Sequence, residues 1–139
     1  MVNLVLTYLL AQIQASIPST APLLPNSATI SDSEHAEDVV SELGHALPSP
    51  PPSIQLIPLL GSAPTEHIQT LHSLYASQAA TLVWLSVEKH GGERKPVVVG
   101  IALRKADVWD EVKERKTFLG VMKMLQELLV QQESPRQRY

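Results

Sequence analysis

Thr81-Leu-Val-Trp-Leu-Ser-Val-Glu88, then Lys89-His-Gly-Gly-Glu-Arg-Lys95, then Pro96-Val-Val-Val-Gly-Ile-Ala-Leu-Arg104 is the part of the chain where local signals agree most closely. In the first segment Leu82, Trp84 and Ser86 alternate with Val83, Leu85 and Val87. In the third, Val97, Val99, Ile101 and Leu103 alternate with Val98, Gly100 and Ala102. A period of two in β-branched and aromatic residues predicts strands. His90-Gly91-Gly92-Glu93 supplies glycines for a tight turn, so the stretch reads as a β-hairpin. Both strands are apolar on nearly both faces, which predicts that each is covered twice. Gly100 and Ala102 would let a helix approach the sheet closely.

Helical patterns flank this stretch. Ile68, Leu71, Leu74 and Tyr75 share one face of an amphipathic helix over Thr65–Gln78, with Ser62 or Thr65 as its cap and Glu66 in its first turn. After it, Asp107 can cap a second helix whose stripe is Val108, Val112, Leu119, Met122, Leu125 and Leu129. Gly120 weakens its middle, so a break near Lys116–Thr117 is expected. Upstream, Ile54–Leu60 reads as a strand ended by Gly61, and Pro58 assigns it to a sheet edge because proline cannot donate to a ladder. Leu10–Ile17 alternates polar and apolar residues and reads as a strand with one buried face, ended by Pro18. Residues 2–9 suit a strand or a helix equally.

The predicted class is α+β: a small antiparallel sheet with two amphipathic helices packed on it, in the order β-(long linker)-β-α-β-β-α. The regions are an N-terminal strand at 1–17, a Pro-rich acidic linker at 18–53 that is mostly disordered, an α+β core at 54–131 and a polar tail at 132–139. Seven of the eleven prolines fall between Ile17 and Ser53, which leaves about 100 residues to fold and a thin stability margin. Such a domain gains from an oligomeric partner. Within the linker, Asp32–Leu47 is acidic, with Ala36, Val39, Val40 and Leu43 at helical spacing and Gly44 as a possible cap. It reads as a transient helix, or as a docking segment for a basic partner.

Composition excludes several chemistries. There is no cysteine, hence no disulfide, zinc thiolate or cysteine nucleophile. Residues 1–88 hold seven acids and no Lys or Arg, while residues 89–139 hold seven acids and eleven bases. The bases are interspersed with Glu and Asp along a helix, as on a solvated face, and nucleic acid is not an expected partner. The apolar run Leu4–Ala11 loosely imitates a signal peptide but lacks a basic leading region, and it is too short to cross a membrane.

The histidines form no metal set. His35 and His45 lie in the linker, His90 in a turn, and His67 and His72 stand about 140° apart on a helix. Asp110, Glu111 and Glu114 alternate with Lys113, Arg115 and Lys116 as a charged helix face. Ser86 has no partner His or Asp, and Gly91-Gly92, placed between two strands, is no phosphate cradle. No catalytic, metal or cofactor residues are expected. Trp84 and Trp109 are the candidate partner-binding residues, because tryptophan is enriched at interface hot spots. Mid-strand among Leu and Val, Trp84 reads first as core. Trp109, beside Asp107, Asp110 and Glu111, reads as exposed or interfacial.

A strand ending in Leu59-Leu60-Gly61, a helix over Thr65–Gln78, strands at Leu82–Glu88 and Pro96–Arg104 and a terminal helix to about Val130 together resemble the proteasome assembly chaperone 3 family. Leu10–Ile17 is similar to the second strand of that family, of which this chain would be an N-terminally incomplete member. The resemblance implies an antiparallel sheet with helices on its faces, no catalysis and no cofactor. It also implies a heterodimer with a related proteasome assembly chaperone 4-type subunit. That pair would dock on proteasome α-subunits during assembly of the 20S ring, in the cytoplasm and with the nucleus as a second compartment. The alternative reading is a roadblock- or longin-like scaffold subunit of another complex.

Overall fold

The computed structural model of the chain describes residues 8–23, 47–104 and 108–133. Its elements are β1 (Tyr8–Ser16), β2 (Gln55–Leu60), α1 (Glu66–Lys89), β3 (Val97–Arg104) and α2 (Glu111–Glu133). The strands form one antiparallel sheet in the order β2-β1-β3. This is the expected α+β class. The expectations for residues 1–7, for the acidic segment within 32–46, for the Asp107 cap and for the tail beyond 133 lie outside the described residues.

β1 is central, paired along both edges, and its alternation divides it into a buried and an open face. Ala11, Ile13 and Ala15 are buried on one face, and Leu10 and Gln12 are exposed on the other. Pro58 sits on the edge strand β2, as its missing N–H requires. A bulge between Gln12 and Ile13 shifts the β1–β2 register. Both β2 and β3 run antiparallel to β1, so they are parallel to each other, and α1 crosses between them. Gly61 ends β2 at φ 77°, and a Cβ there would lie 2.2 Å from the Leu10 carbonyl oxygen. Only glycine fits that close approach of two backbones.

The expected first hairpin strand does not exist: Leu82–Glu88 is the last third of α1. From Glu66 to Lys89 no Gly or Pro interrupts the chain, and Ala76, Ala79 and Ala80 are strong helix formers. The apolar positions Leu71, Tyr75 and Leu82, followed by the small Ser86, continue one helical face, so the helix period runs through the segment that also alternates. Thr65 caps the start, its hydroxyl accepting from the Ile68 N–H at 3.2 Å.

The glycines read as a hairpin turn instead stop this helix. Gly91 takes φ 70°; its N–H donates to Glu88 O at 3.0 Å, and the Gly92 N–H donates to Val87 O at 2.9 Å. Those two bonds make a Schellman cap after His90. The sheet therefore has one strand fewer than the expected order.

Both helices contribute to one core against the buried face of the sheet. Ile13 and Ile101 meet Tyr75, Ala76 and Leu82 of α1 and Met122 of α2, with Phe118, Val121, Leu125 and Leu129 packed around them. Tyr75 and Phe118 stack edge to face at 5.1 Å. A second cluster joins Ala15, Ala80 and Trp84, bordered by Ile17, Leu23, Ile54, Leu56 and Val97. Ala15 and Ala80 are the small residues where helix and sheet come close. Gly100 and Ala102, expected in that role, are exposed on the opposite face. α2 is unbroken at Lys116–Thr117 and Gly120. It is capped by Asp110, whose Oδ1 accepts from the N–H groups of Val112 at 3.0 Å and Lys113 at 3.3 Å. Val108 and Val112, expected on its buried stripe, are exposed.

The described ends of the 18–53 stretch are packed. Ala21, Pro48 and Pro51 are buried, and the Gln78 amide of α1 donates to Pro48 O at 2.7 Å. Arg94 ties the loop before β3 to the loop after β1. Its guanidinium pairs with Glu88 and donates to the carbonyls of Pro18 and Ala21. These bonds anchor the two described ends of the stretch read as mostly disordered, and its residues 24–46 lie outside the described residues.

Candidate interaction surface

The face of the sheet turned away from the helices follows from register. On β1 it carries Leu10, Gln12, Gln14 and Ser16. Opposite these stand Leu60 and Ile57 on β2, and Ala102, Gly100 and Val98 on β3. No described helix packs on this side. Leu10 retains 56% of its surface, Leu60 61% and Val98 54%, and Ile57 is similarly open. Leu10 and Leu60 stand near one end of this face and Ile57 and Val98 toward the other, with the Gln12 and Gln14 amides between them. The face thus gathers exposed large apolar side chains around two amides, and a cluster of exposed apolar residues marks a surface suited to binding another protein.

This surface departs from the expectation of four strands, two of them, those of the hairpin, covered on both faces. The signal was nevertheless present. Leu10 and Val98 belong to the phase of each alternation that also holds Gln12, Gln14, Gly100 and Ala102. Only pairing β1 with β3 puts those phases on one side.

Trp84 is not on any described surface. It is 1% exposed, and its indole Nε1 donates to Lys95 O at 2.9 Å. Of the two expected partner-binding tryptophans it is therefore the core residue, placed on a helix instead of a strand. Trp109 is 62% exposed, just before α2. Its Nε1 donates to Glu114 Oε2 at 3.0 Å, and its ring meets His67 edge to face at 5.4 Å. His67 Nε2 donates to Glu114 Oε1 at 2.9 Å. This trio ties the start of α1 to the start of α2 and leaves an indole face in solvent beside exposed Val108 and Val112. Trp84 and Trp109 are not brought together.

His72 and Tyr75 are buried titratable groups of α1, and His72 is the one left unpaired among the described residues. It is 4% exposed, and its Nε2 has no hydrogen-bond partner. Desolvation holds its pKa below the usual histidine value, which favours the neutral ring. The Tyr75 hydroxyl is pushed the other way, first by burial and then by the Glu114 charge, and stays protonated. Among the described residues no cluster of three or more His, Cys, Asp or Glu could hold a metal ion, and no helix is long and apolar enough to cross a membrane. No family model, curated protein or solved structure matches the chain.

Proposed function

We propose that the protein works by binding other proteins, as a non-enzymatic assembly chaperone. In this reading it pairs with a related chaperone 4-type subunit and promotes assembly of the 20S proteasome α-ring, in the cytoplasm and the nucleus. The observation that carries the general reading is the uncovered sheet face. Leu10, Ile57, Leu60 and Val98 remain open while both helices lie on the other side. A small domain that leaves four large apolar side chains on one face of its sheet in water gains stability by covering them with another chain. The narrower reading rests on the order Leu59-Leu60-Gly61, helix, strand and terminal helix, which resembles the chaperone 3 family. The hairpin strand at Leu82–Glu88 no longer supports it, since those residues are helical.

Affinity capture of the full chain from its source cells, followed by mass spectrometry, tests both levels. Recovery of proteasome α-subunits with a related chaperone supports the narrower reading, and GTPases or vesicle components would replace it with the adaptor reading. A Leu10→Glu/Ile57→Glu variant keeps the buried face intact and should lose the captured partner. If it captures the same proteins as the parent, the sheet face is not the docking surface.

A further inference from the structure

We propose that the outer edge of β3 pairs with the same edge of a second copy of this chain, joining two three-stranded sheets into one of six strands. The two edges of the sheet are built differently. β2 carries Pro58 in mid-strand and faces a bulge between Gln12 and Ile13. Both devices discourage a further strand from pairing there. β3 has neither. Its register with β1 is unbroken over all eight residues, it contains no proline, and no charged residue occurs from Val97 to Leu103. Among the described residues no strand occupies its outer edge. An edge of this length, with apolar side chains and no described strand on its outer N–H and C=O groups, is a template for another strand.

A second copy fits that template in register. In an antiparallel pair with Gly100 on the two-fold axis, Val99 stands opposite Ile101 of the second copy and Val97 opposite its Leu103. These four belong to the phase that faces the helices, where Ile101 is buried. On the open side Val98 stands opposite Ala102, a larger residue against a smaller one, and Gly100 meets Gly100. Both faces therefore continue across the junction without a phase slip and without a charge set against an apolar neighbour. The interface is isologous, as closed two-fold dimers require. It uses the strand edge, not the open sheet face, so it stands independently of the chaperone reading and is tested on the purified chain alone.

The test is sedimentation equilibrium of the full-length chain and two variants, each checked for unchanged circular dichroism. Val98 and Ala102 are both solvent-exposed, so charges there leave the monomer folded. Val98→Lys/Ala102→Lys sets two lysine pairs against each other across the axis. Val98→Lys/Ala102→Glu sets two opposite-charge pairs in the same places. The parent should form a dimer, the Lys/Lys variant should dissociate about tenfold more readily, and the Lys/Glu variant should recover most of that loss. A parent that stays monomeric up to about 0.5 mM overturns the proposal. So does equal dimerisation of the Lys/Lys and Lys/Glu variants, which would place any dimer on another surface or in another register.

Discussion

The indole N–H of Trp84, on the last turns of α1, donates to the carbonyl of Lys95, two residues before β3 begins, at 2.9 Å. This bond closes the reversal from helix to strand from the inside, while the Schellman cap at Gly91 and Gly92 and the Arg94–Glu88 pair hold it from the outside. One residue thus fills the second core cluster and fixes the path into the sheet.

Trp84→Ala should cost about 3–5 kcal/mol, because it empties a large buried site among Ala15, Ala80 and Val97. Trp84→Phe keeps much of the apolar volume and removes the donor, so its cost should be about 1–2 kcal/mol. Urea denaturation measures both. A Trp84→Ala protein of unchanged stability that fails only in partner capture would overturn the core assignment.

Gly61→Ala should destabilise by about 2 kcal/mol or more. The added methyl meets the Leu10 carbonyl oxygen, a backbone atom with little freedom to retreat, at a φ that disfavours side chains. Gly100→Ala adds a methyl to open space on the exposed face and serves as the control, with a change below about 0.5 kcal/mol. Comparable losses for the two variants would show that the tight contact at Leu10 is not real.

Stability should fall on mild acidification, and His72 should account for part of the fall. Its folded pKa is lowered by burial, so the unfolded chain binds more protons in this range. The contribution is complete above the unfolded value near 6.5 and is lost as pH falls through the folded value. Denaturation at about pH 7.5 and about pH 5.5 should show a smaller pH effect in His72→Leu than in the parent. Identical pH dependence in the two proteins would mean that His72 accepts its proton without unfolding cost.

Gly91→Ala should cost about 1 kcal/mol, since it imposes a left-handed backbone on a residue with a Cβ. If the stretch were a hairpin with Leu82–Glu88 as a strand, α1 would end near Gln78 and far-ultraviolet circular dichroism would report two helices of about 13 and about 23 residues. The structure has two, of 24 and 23 residues, so the helical signal separates the alternatives directly.

The edges and ends of this fold were legible in the chain because single residues enforce them. Pro58 cannot donate, so its strand is an edge. Thr65 is positioned to accept from an early helix N–H, and Gly61 alone tolerates the backbone approach that ends β2. The alternation from Leu10 to Ile17 identified β1 and its buried phase. The missing donor of Pro58 and the capping hydroxyl of Thr65 are local constraints, while the approach of the Leu10 carbonyl to Gly61 joins two strands far apart in the chain.

Leu82–Glu88 was decided by tertiary structure. Its residues satisfy a period of two and a period near 3.6 at once, and β-branched Val83 and Val87 weigh toward a strand. The helix prevails because α1, seated between the sheet and α2, buries Leu82 in one cluster and Trp84 in the other, whereas an added strand would have had to find cover on two faces. The same choice decided which side of the sheet stays bare. Each strand's sequence states that its two faces differ. Only the pairing of β1 with β2 and β3, and the landing of both helices on one side, determines that Leu10, Ile57, Leu60 and Val98 share the uncovered face.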